Sequence, residues 1–582
     1  MVVEQFAGLG GLQVIKLVKK DRSLKLPWTR LQVGSPVQVS AKDHEDLQLR
    51  GVVSHKKSDQ VSVALSGRDL HELPEPATFR LDLSADEITT QRQRAALRQV
   101  EGNNEGRVAE LRAVFSGRVA PQTEAQPELQ LDSALNPAQQ AAVRLGLEAQ
   151  DVALIHGPPG TGKTRTLVAL MHAAVQQGRT VLATAPSNLA VDNMMQRLIA
   201  DNVKVVRLGH PARVMPELQA HSLSVLIAEH EDVRRARTLV REAFQLRRRA
   251  DKSTRTRLDR KARGAMRYEA KQLIKDARRL EAQAAHRIID EADVICATTS
   301  VDPNMLGART FDLAVIDEAA QSTEPGSWPP ILRAQAVVLA GDHHQLPPTV
   351  VSPEALEGGL NISLFERLMH HLAETSSVQL TLQYRMHEAI MGFSNQVLYG
   401  GQLRAHASVA EHVLSELGGV QANSSTDSAL EFIDSAGAGW SEELEPDGES
   451  RRNPQEAQCV ADQVRALAQA GLPLTDIAVI TPYAAQARLL RTLLVDERLE
   501  IDSVDGFQGR EKEAVLISLV RSNAEAELGF VADVRRINVA LTRARRKLII
   551  IGDSATLGAH SFYRELLSWV DAHGRYRSVW AL

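Results

Sequence analysis

The residues that most restrict what this chain can fold into run from His156 to Thr164: His-Gly-Pro-Pro-Gly-Thr-Gly-Lys-Thr. Gly157, Gly162, Lys163 and Thr164 satisfy the G-x-x-x-x-G-K-[ST] pattern, and Pro158, Pro159, Gly160 and Thr161 fill its variable positions. An apolar run, Val152 to Ile155, precedes the pattern, and a helix-forming stretch, Arg165 to Gln176, follows it. A strand, a glycine-rich loop and a helix in that order turn backbone N–H groups toward phosphate oxygens, and the helix N-terminus adds a favourable dipole. Lys163 is expected to meet the β- and γ-phosphates of a nucleotide, and the Thr164 hydroxyl to ligate Mg²⁺.

A strand that feeds such a loop belongs to a parallel sheet, and other apolar runs supply its neighbours. Thr180 to Ala185 ends in Pro186-Ser187-Asn188, Phe311 to Ile316 in Asp317-Glu318, and Ala336 to Ala340 in Gly341-Asp342. Polar residues thus gather at the C-terminal ends of buried-type strands, where doubly wound α/β sheets hold ligands. From Ser377 the alternation restarts. Val378 to Leu382, Ile477 to Ile480, Ala514 to Leu519 and Leu548 to Ile551 are strand candidates of a second α/β unit without a phosphate loop. Between the first two, Ala405 to Asn453 is Ser-, Gly- and Glu-rich and reads as loop with short elements.

With 582 residues the chain is too long for one core. Residues 1–27 carry little signal, although Gly8 to Val14 suits a loop or short edge element. From Trp28 to Leu83, short alternating runs punctuated by Gly34, Gly51 and Gly67 predict a small antiparallel barrel or sandwich. Asp86 to Arg118 reads as a helical hairpin broken at Gly102-Asn103-Asn104, and Pro121 to Pro127 as a linker. Asn136-Pro137 starts a capped helix. Between Arg234 and Arg287 stand nineteen Lys or Arg against six Asp or Glu, although the whole chain has a net charge of −4. Such asymmetry on helical spacing, with Arg247-Arg248-Arg249 and Arg278-Arg279 prominent, predicts a surface for a phosphate backbone.

The carboxylates after the third strand have a division of labour available. Asp317 is placed to hold the metal and Glu318 to activate a water against the γ-phosphate. Gln345, in Gly341-Asp342-His343-His344-Gln345-Leu346-Pro347, is a neutral group able to sense that phosphate. His343 and His344 have no further Cys or His at ligand spacing, so a metal site is not expected there. Arg385 and Arg543 are the candidate suppliers of positive charge to a phosphoryl-transfer transition state. Cys296 and Cys459 are far apart and read as buried small hydrophobes. No signal peptide or ~18-residue apolar span is visible, so the protein is expected to be intracellular, cytoplasmic by default, with no membrane partner.

In order, the chain carries Leu135-Asn136-Pro137-Ala138-Gln139, the phosphate loop, Ala185-Pro186-Ser187-Asn188-Leu189-Ala190-Val191-Asp192, Asp317-Glu318-Ala319-Ala320-Gln321, the Gly341 to Pro347 segment, Gln383-Tyr384-Arg385-Met386-His387, Thr481-Pro482-Tyr483, Asp505-Gly506-Phe507-Gln508-Gly509-Arg510-Glu511 and Ala540-Leu541-Thr542-Arg543-Ala544-Arg545. This set resembles superfamily 1B helicases, within them the up-frameshift-like group that includes the immunoglobulin mu-binding protein 2-like helicases, over about Leu135 to Asp553. The resemblance implies that Gln139 recognises the adenine edge, that Tyr384 lies beside the base and that Glu511 is near the sugar. Gln345 becomes the γ-phosphate sensor and Arg385 and Arg543 the two arginine fingers. Ser187, Asn188, Thr298, Thr299, Thr481, Pro482 and Tyr483 fall in segments that touch the nucleic-acid strand.

The expected layout is an N-terminal segment (1–27), a small β-barrel (28–84), a helical stalk and linker (85–130), a first RecA-like ATPase domain (131–205 and 288–374) interrupted by a basic helical insertion (206–287), and a second RecA-like domain (375–582). No Cys- and His-rich zinc domain precedes the motifs, nothing after Asp553 resembles the mu-binding protein's extra modules, and no nuclease motif is present. The resemblance therefore implies a self-contained, monomeric, Mg·ATP-dependent motor acting on single-stranded DNA or RNA and forked duplexes, with 5′→3′ polarity. A clamp or nucleoprotein remodeller that does not unwind shares the same ATPase motifs.

Overall fold

The structure is a computed structural model that describes residues 2–7, 13–19, 31–41, 44–57, 59–65, 78–84, 87–126, 131–252, 260–445, 448 and 450–581. Among the positions singled out above, Gly8, Trp28, Gly67, Asp86 and Pro127 lie outside those residues.

Two parallel sheets organise the molecule. In the first, the strand order is Ser377–Gln379, Val152–His156, Ala334–Gly341, Phe311–Ile316, Val181–Ala185, Val294–Thr298, Val205–Arg207, with every described pair parallel. Its central strands are mostly Val, Ala, Leu and Ile because helices cover both faces; all of Val152–His156 and Val181–Ala185 is buried. The second sheet runs Glu500–Ser503, Ile477–Thr481, Lys512–Ser518, Ala544–Gly552, Leu430–Asp434, Arg575–Ser578, again parallel.

One reading of the second unit requires correction. The stretch expected to open it, Val378 to Leu382, instead divides. Ser377–Gln379 pairs with Leu154, Ile155 and His156 at the edge of the first sheet, and Leu382–Gln383 pairs with Arg404–Ala405 outside both sheets. The strand emerges directly from the Leu364–Ser376 helix, which lies on the first sheet, so the nearest open edge takes it. Within Ala405 to Asn453, read as loop with short elements, Leu430–Asp434 is one such element and forms an interior strand of the second sheet. Its Glu431 is wholly buried and paired with Lys547 Nζ at 2.8 Å; that charged pair broke the apolar pattern.

Ahead of the two lobes lies a six-stranded antiparallel sheet, in the order Val2–Ala7, Gln13–Val18, Gln60–Leu65, His44–Lys56, Pro36–Ala41, Phe79–Leu83. It starts earlier than residue 28, because two strands of the N-terminal segment pair onto it. His44–Lys56 pairs with Pro36–Ala41 through its first part and with Gln60–Leu65 through its second. The changeover falls at Gly51, where a Cβ would stand 2.6 Å from the Ala64 carbonyl oxygen, so a larger residue does not fit. Ile15, Val37, Val39, Val53, Val63 and Leu65 form its own core.

The helical hairpin Glu87–Gly102 and Gly106–Phe115 is more than a connector. Val100, Leu111, Val114 and Phe115 share one apolar core with Leu154, Trp328, Val337, Leu339 and Phe365 of the first lobe. Arg92 fixes it further by donating to the Ser300 carbonyl and to Asp302, each at 2.7 Å.

The basic insertion contains two long helices, Glu231–Lys252 and Arg260–Asp290, packed against each other. Buried alanines recur every seven residues on both: Ala236, Ala243 and Ala250 on one, Ala270, Ala277 and Ala284 on the other. A seven-residue repeat keeps one seam facing a partner helix, and alanine lets the backbones approach closely. Arg247, Arg248, Arg249, Arg278 and Arg279 lie exposed outside that seam. Cys296 and Cys459 are buried free thiols, each pushed up to about 12 by burial. Among the described residues no helix is long and apolar enough to cross a membrane.

Candidate active site at the seam between the lobes

The phosphate loop leaves the end of the Val152–His156 strand and enters the Lys163–Gln176 helix. Gly160 and Gly162 have φ of +76° and +78°, a left-handed backbone that side chains rarely adopt. Space dictates the same residue. A Cβ on Gly160 would lie 2.7 Å from Arg385 Cβ, and one on Gly162 would lie 2.7 Å from Gln139 Nε2. The loop is thus a backbone cradle, closed by the two segments expected to flank a nucleotide.

Lys163 is buried and its ammonium bonds Asp317 Oδ1 and, at 2.8 Å, Glu318 Oε1. Burial on its own would lower the Lys163 pKa; the two facing carboxylates outweigh it and hold the value above that of an ordinary lysine. Thr164 Oγ1 donates to Asp317 Oδ2 at 3.3 Å. Asp317 follows the Phe311–Ile316 strand, and Glu318 adopts φ 52°, a left-handed conformation uncommon for a side-chain-bearing residue. That turn directs both carboxylates at Lys163, and Gln321 Nε2 steadies Glu318 Oε2 at 2.8 Å. A hydroxyl and a carboxylate oxygen this close, beside a backbone cradle, suit a hard divalent cation bound with phosphate.

At one end of the cradle, Gln139 closes a capping box with Asn136 and donates to the Thr161 carbonyl at 3.0 Å. Tyr384 stands beside it: Asn136 Nδ2 donates to the Tyr384 hydroxyl at 3.1 Å, and Tyr384 N–H to the Gly160 carbonyl at 2.8 Å. At the other end, Arg543 crosses the seam and donates to Gln345 Oε1 at 3.2 Å. Its Nε is anchored on the Val539 carbonyl at 2.8 Å. Burial and the charge of Arg385 pull the Arg543 pKa below the usual arginine range, though it stays cationic at neutral pH. Arg385 pairs with Glu511 and donates to the Thr542 carbonyl at 3.1 Å. Burial would raise the Glu511 carboxyl, but Arg385 and Arg545 hold it below its ordinary value. Glu511 is therefore an arginine partner before it is anything else.

The residues assigned to a nucleic-acid strand divide by exposure. Ser187 is exposed and caps the Asn188–Ala200 helix by accepting from Ala190 N–H. Thr298 and Pro482 are half-exposed. Asn188 turns its side-chain oxygen to Arg207 at 2.8 Å, inside a network in which buried Arg207 also bonds Asp192 at 3.0 Å. Thr299 and Thr481 are buried. Tyr483 is only 4% exposed, and its hydroxyl is engaged by Arg521 at 3.3 Å and the Leu528 carbonyl at 3.4 Å. The aromatic ring that faces outward there is Phe530, 61% exposed and 5.7 Å from the Tyr483 ring.

Sequence reasoning also passed over Asn538 and Tyr399. Asn538 Nδ2 donates across the seam to the His344 carbonyl at 2.9 Å and to the Tyr399 hydroxyl at 3.0 Å. Tyr399 in turn donates to buried Asp342 at 2.8 Å. Asn538 was visible inside the motif that carries Arg543; Tyr399 carries no local signal. Arg535 adds a second bridge, with paired bonds to Glu366 at 3.1 and 2.6 Å.

Two family models, each described as an AAA domain, match residues 134–353 and 360–555. The DNA-binding protein SMUBP-2 of Mesocricetus auratus is 39% identical over 99% of this chain, which spans 59% of that protein's length. The DNA polymerase alpha-associated DNA helicase A of Schizosaccharomyces pombe is 35% identical, with 97% of this chain covering 87% of it. An uncharacterized ATP-dependent helicase of Methanocaldococcus jannaschii is 34% identical, with 93% of this chain covering 86% of it. Similarity this extended, over the same segments that build the seam, has one reading: the chain belongs to the superfamily 1B, up-frameshift-like helicases.

Proposed function

We propose that this protein hydrolyses Mg·ATP between its two lobes and uses the cycle to move 5′→3′ along single-stranded DNA or RNA, unwinding forked duplexes as a cytoplasmic monomer. The observation that carries the proposal is the bond from Arg543 of one lobe to Gln345 of the other, beside Lys163, Asp317 and Glu318. A guanidinium whose reach depends on lobe closure ties hydrolysis to relative movement of the lobes.

In this reading Gly157 to Thr164 cradle the phosphates and Lys163 turns from its carboxylates to the β- and γ-phosphoryl oxygens. Thr164 and Asp317 would hold the magnesium ion, which would supply Lewis-acid polarisation of those oxygens. Glu318 takes a proton from the attacking water. Gln345 registers the γ-phosphate, and Arg385 and Arg543 neutralise charge that builds on the transferring group. Gln139 and Tyr384 select adenine, with Glu511 near the sugar once Arg385 moves away. Ser187, Thr298 and Pro482, at the C-terminal ends of strands in the two sheets, face the strand with Phe530 as a stacking ring. The basic hairpin adds phosphate-backbone affinity.

Lys163→Ala tests the site in an ATPase assay with added single strands. Loss of strand-stimulated turnover is expected; unchanged turnover ends the assignment. Forked substrates with DNA or RNA tails of either polarity then test direction and sugar preference. Stimulated hydrolysis without strand separation on any of them leaves a clamp.

A further inference from the structure

The turn after Ala334–Gly341 brings two imidazoles against a third that the chain places nearly two hundred residues away. His343 and His344 ring centroids are 4.1 Å apart, and His156 lies 4.8 Å from the first and 5.8 Å from the second. One nitrogen from each ring can be chosen so that all three lie within 4.8 Å of one another. Sequence spacing offers the two neighbouring histidines no third partner; the fold brings one within reach from the start of the phosphate loop.

The hydrogen bonds favour ligation. His156 Nε2 is 3.1 Å from Asp342 Oδ1. A proton on Nε2, shared with Asp342, leaves the Nδ1 lone pair of His156 for a metal. His343 Nδ1 is buried without a hydrogen-bond partner. The nearby cation Arg535 is already neutralised by Glu366.

We propose that His156, His343 and His344 bind one zinc-class divalent ion, and that its binding holds the lobes in the bridged arrangement. Three imidazoles are a well-known zinc donor set, and Mg²⁺, which requires oxygen ligands, does not compete. Tetrahedral Zn–N bonds bring the nitrogens to ~3.3 Å from one another, a small inward rotation of the rings. Asp342 then completes a carboxylate–histidine–metal relay. That carboxylate also holds Gln345 Nε2 at 2.7 Å and Tyr399 at 2.8 Å, so a metal on His156 fixes the phosphate sensor and the cross-lobe tyrosine together.

The test is equilibrium competition of Zn²⁺ between the full chain, free of nucleotide, and a chromogenic chelator, with His343→Asn/His344→Asn and the single His344→Gln as controls and thermal melts to verify folding. One tightly held zinc per chain is expected, weakened at least a hundredfold in the double variant and at least tenfold in the single one. Cobalt substitution should give the absorption of a tetrahedral nitrogen site in the wild type alone. A wild-type chain that takes up no stoichiometric zinc, or zinc retained equally by folded variants, overturns the proposal. If the double variant does not fold, the single variant and the wild-type stoichiometry decide. Added zinc is further expected to slow wild-type ATP turnover several-fold, and unaltered turnover at full occupancy overturns the pinning of the lobes.

Discussion

Arg543 and Gln345 meet across the seam at 3.2 Å, and each is held from behind, Arg543 by the Val539 carbonyl and Gln345 by Asp342. A guanidinium positioned this way loses both charge and reach on truncation. Arg543→Ala is expected to lower strand-stimulated ATP turnover by ~10³-fold or more. Arg543→Lys should recover little, since a lysine lacks the planar fork that bonds Val539 and Gln345 together. Nucleotide binding, read by fluorescence titration, should change far less than turnover. Equal losses in both would mean the arginine serves the fold of the seam instead of the reaction.

The exposed arginines of the insertion make a prediction about salt. Arg247, Arg248 and Arg249 project from the end of the Glu231–Lys252 helix. Changing all three to Gln should weaken single-strand binding and flatten the dependence of log affinity on log salt by up to about two to three units. Binding isotherms at several salt concentrations check this. A weaker affinity with the original slope would assign the loss to altered packing.

The alanine seam beneath them is separately testable. Ala243 and Ala277 are buried between helices that approach closely. Leucine at either position adds volume where there is none, a change that costs about 1–3 kcal/mol. Ala243→Leu should raise hydrogen exchange and protease sensitivity in the two long helices and leave strand-independent ATP turnover near its original value. Equal loosening of the phosphate-loop helix would show that the insertion and the lobe unfold as one unit.

What was legible in the sequence follows from burial. Strands covered on both faces, such as Val152–His156 and Phe311–Ile316, are largely apolar runs, and the residues at their ends build the seam. Among what escaped were strands whose interior positions carry charge. Leu430–Asp434 hides Glu431 against Lys547, and Val205–Arg207 hides Arg207 against Asp192. In both cases a buried ion pair satisfies a polar residue through a partner distant in sequence, which no local pattern reveals. Ser377–Gln379 was visible as a strand but assigned to the wrong sheet, because three residues do not encode which edge they join. The His156, His343 and His344 group depends on tertiary contact alone. The burial of Tyr483 was equally invisible, since its hydroxyl finds partners in Arg521 and the Leu528 carbonyl while Phe530 takes the surface.

Glu456 offers a pH test of the second lobe. Its carboxyl is buried under the Pro454–Gln469 helix; Oε1 accepts from Ser518 Oγ at 2.5 Å and from Val520 N–H at 2.9 Å, while Oε2 has no partner. Val520 holds φ at 70°, strained for a β-branched residue, to deliver that N–H. Burial raises the Glu456 pKa to about 7 from an ordinary 4.5, and the two hydrogen bonds only partly oppose it. The folded chain therefore keeps a proton that the unfolded chain has released. The contribution to stability is whole below pH 4.5 and disappears as pH rises through 7, with a ceiling of about 3 kcal/mol. Glu456→Gln is isosteric with the protonated acid and does not titrate, so it should be no less stable than wild type at pH 8 and should lose the wild type's decline between pH 5 and 8. Denaturant unfolding of both chains at pH 5 and 8 measures the difference. Parallel pH profiles would mean that Glu456 keeps its charge in the fold, with Oε2 satisfied by water.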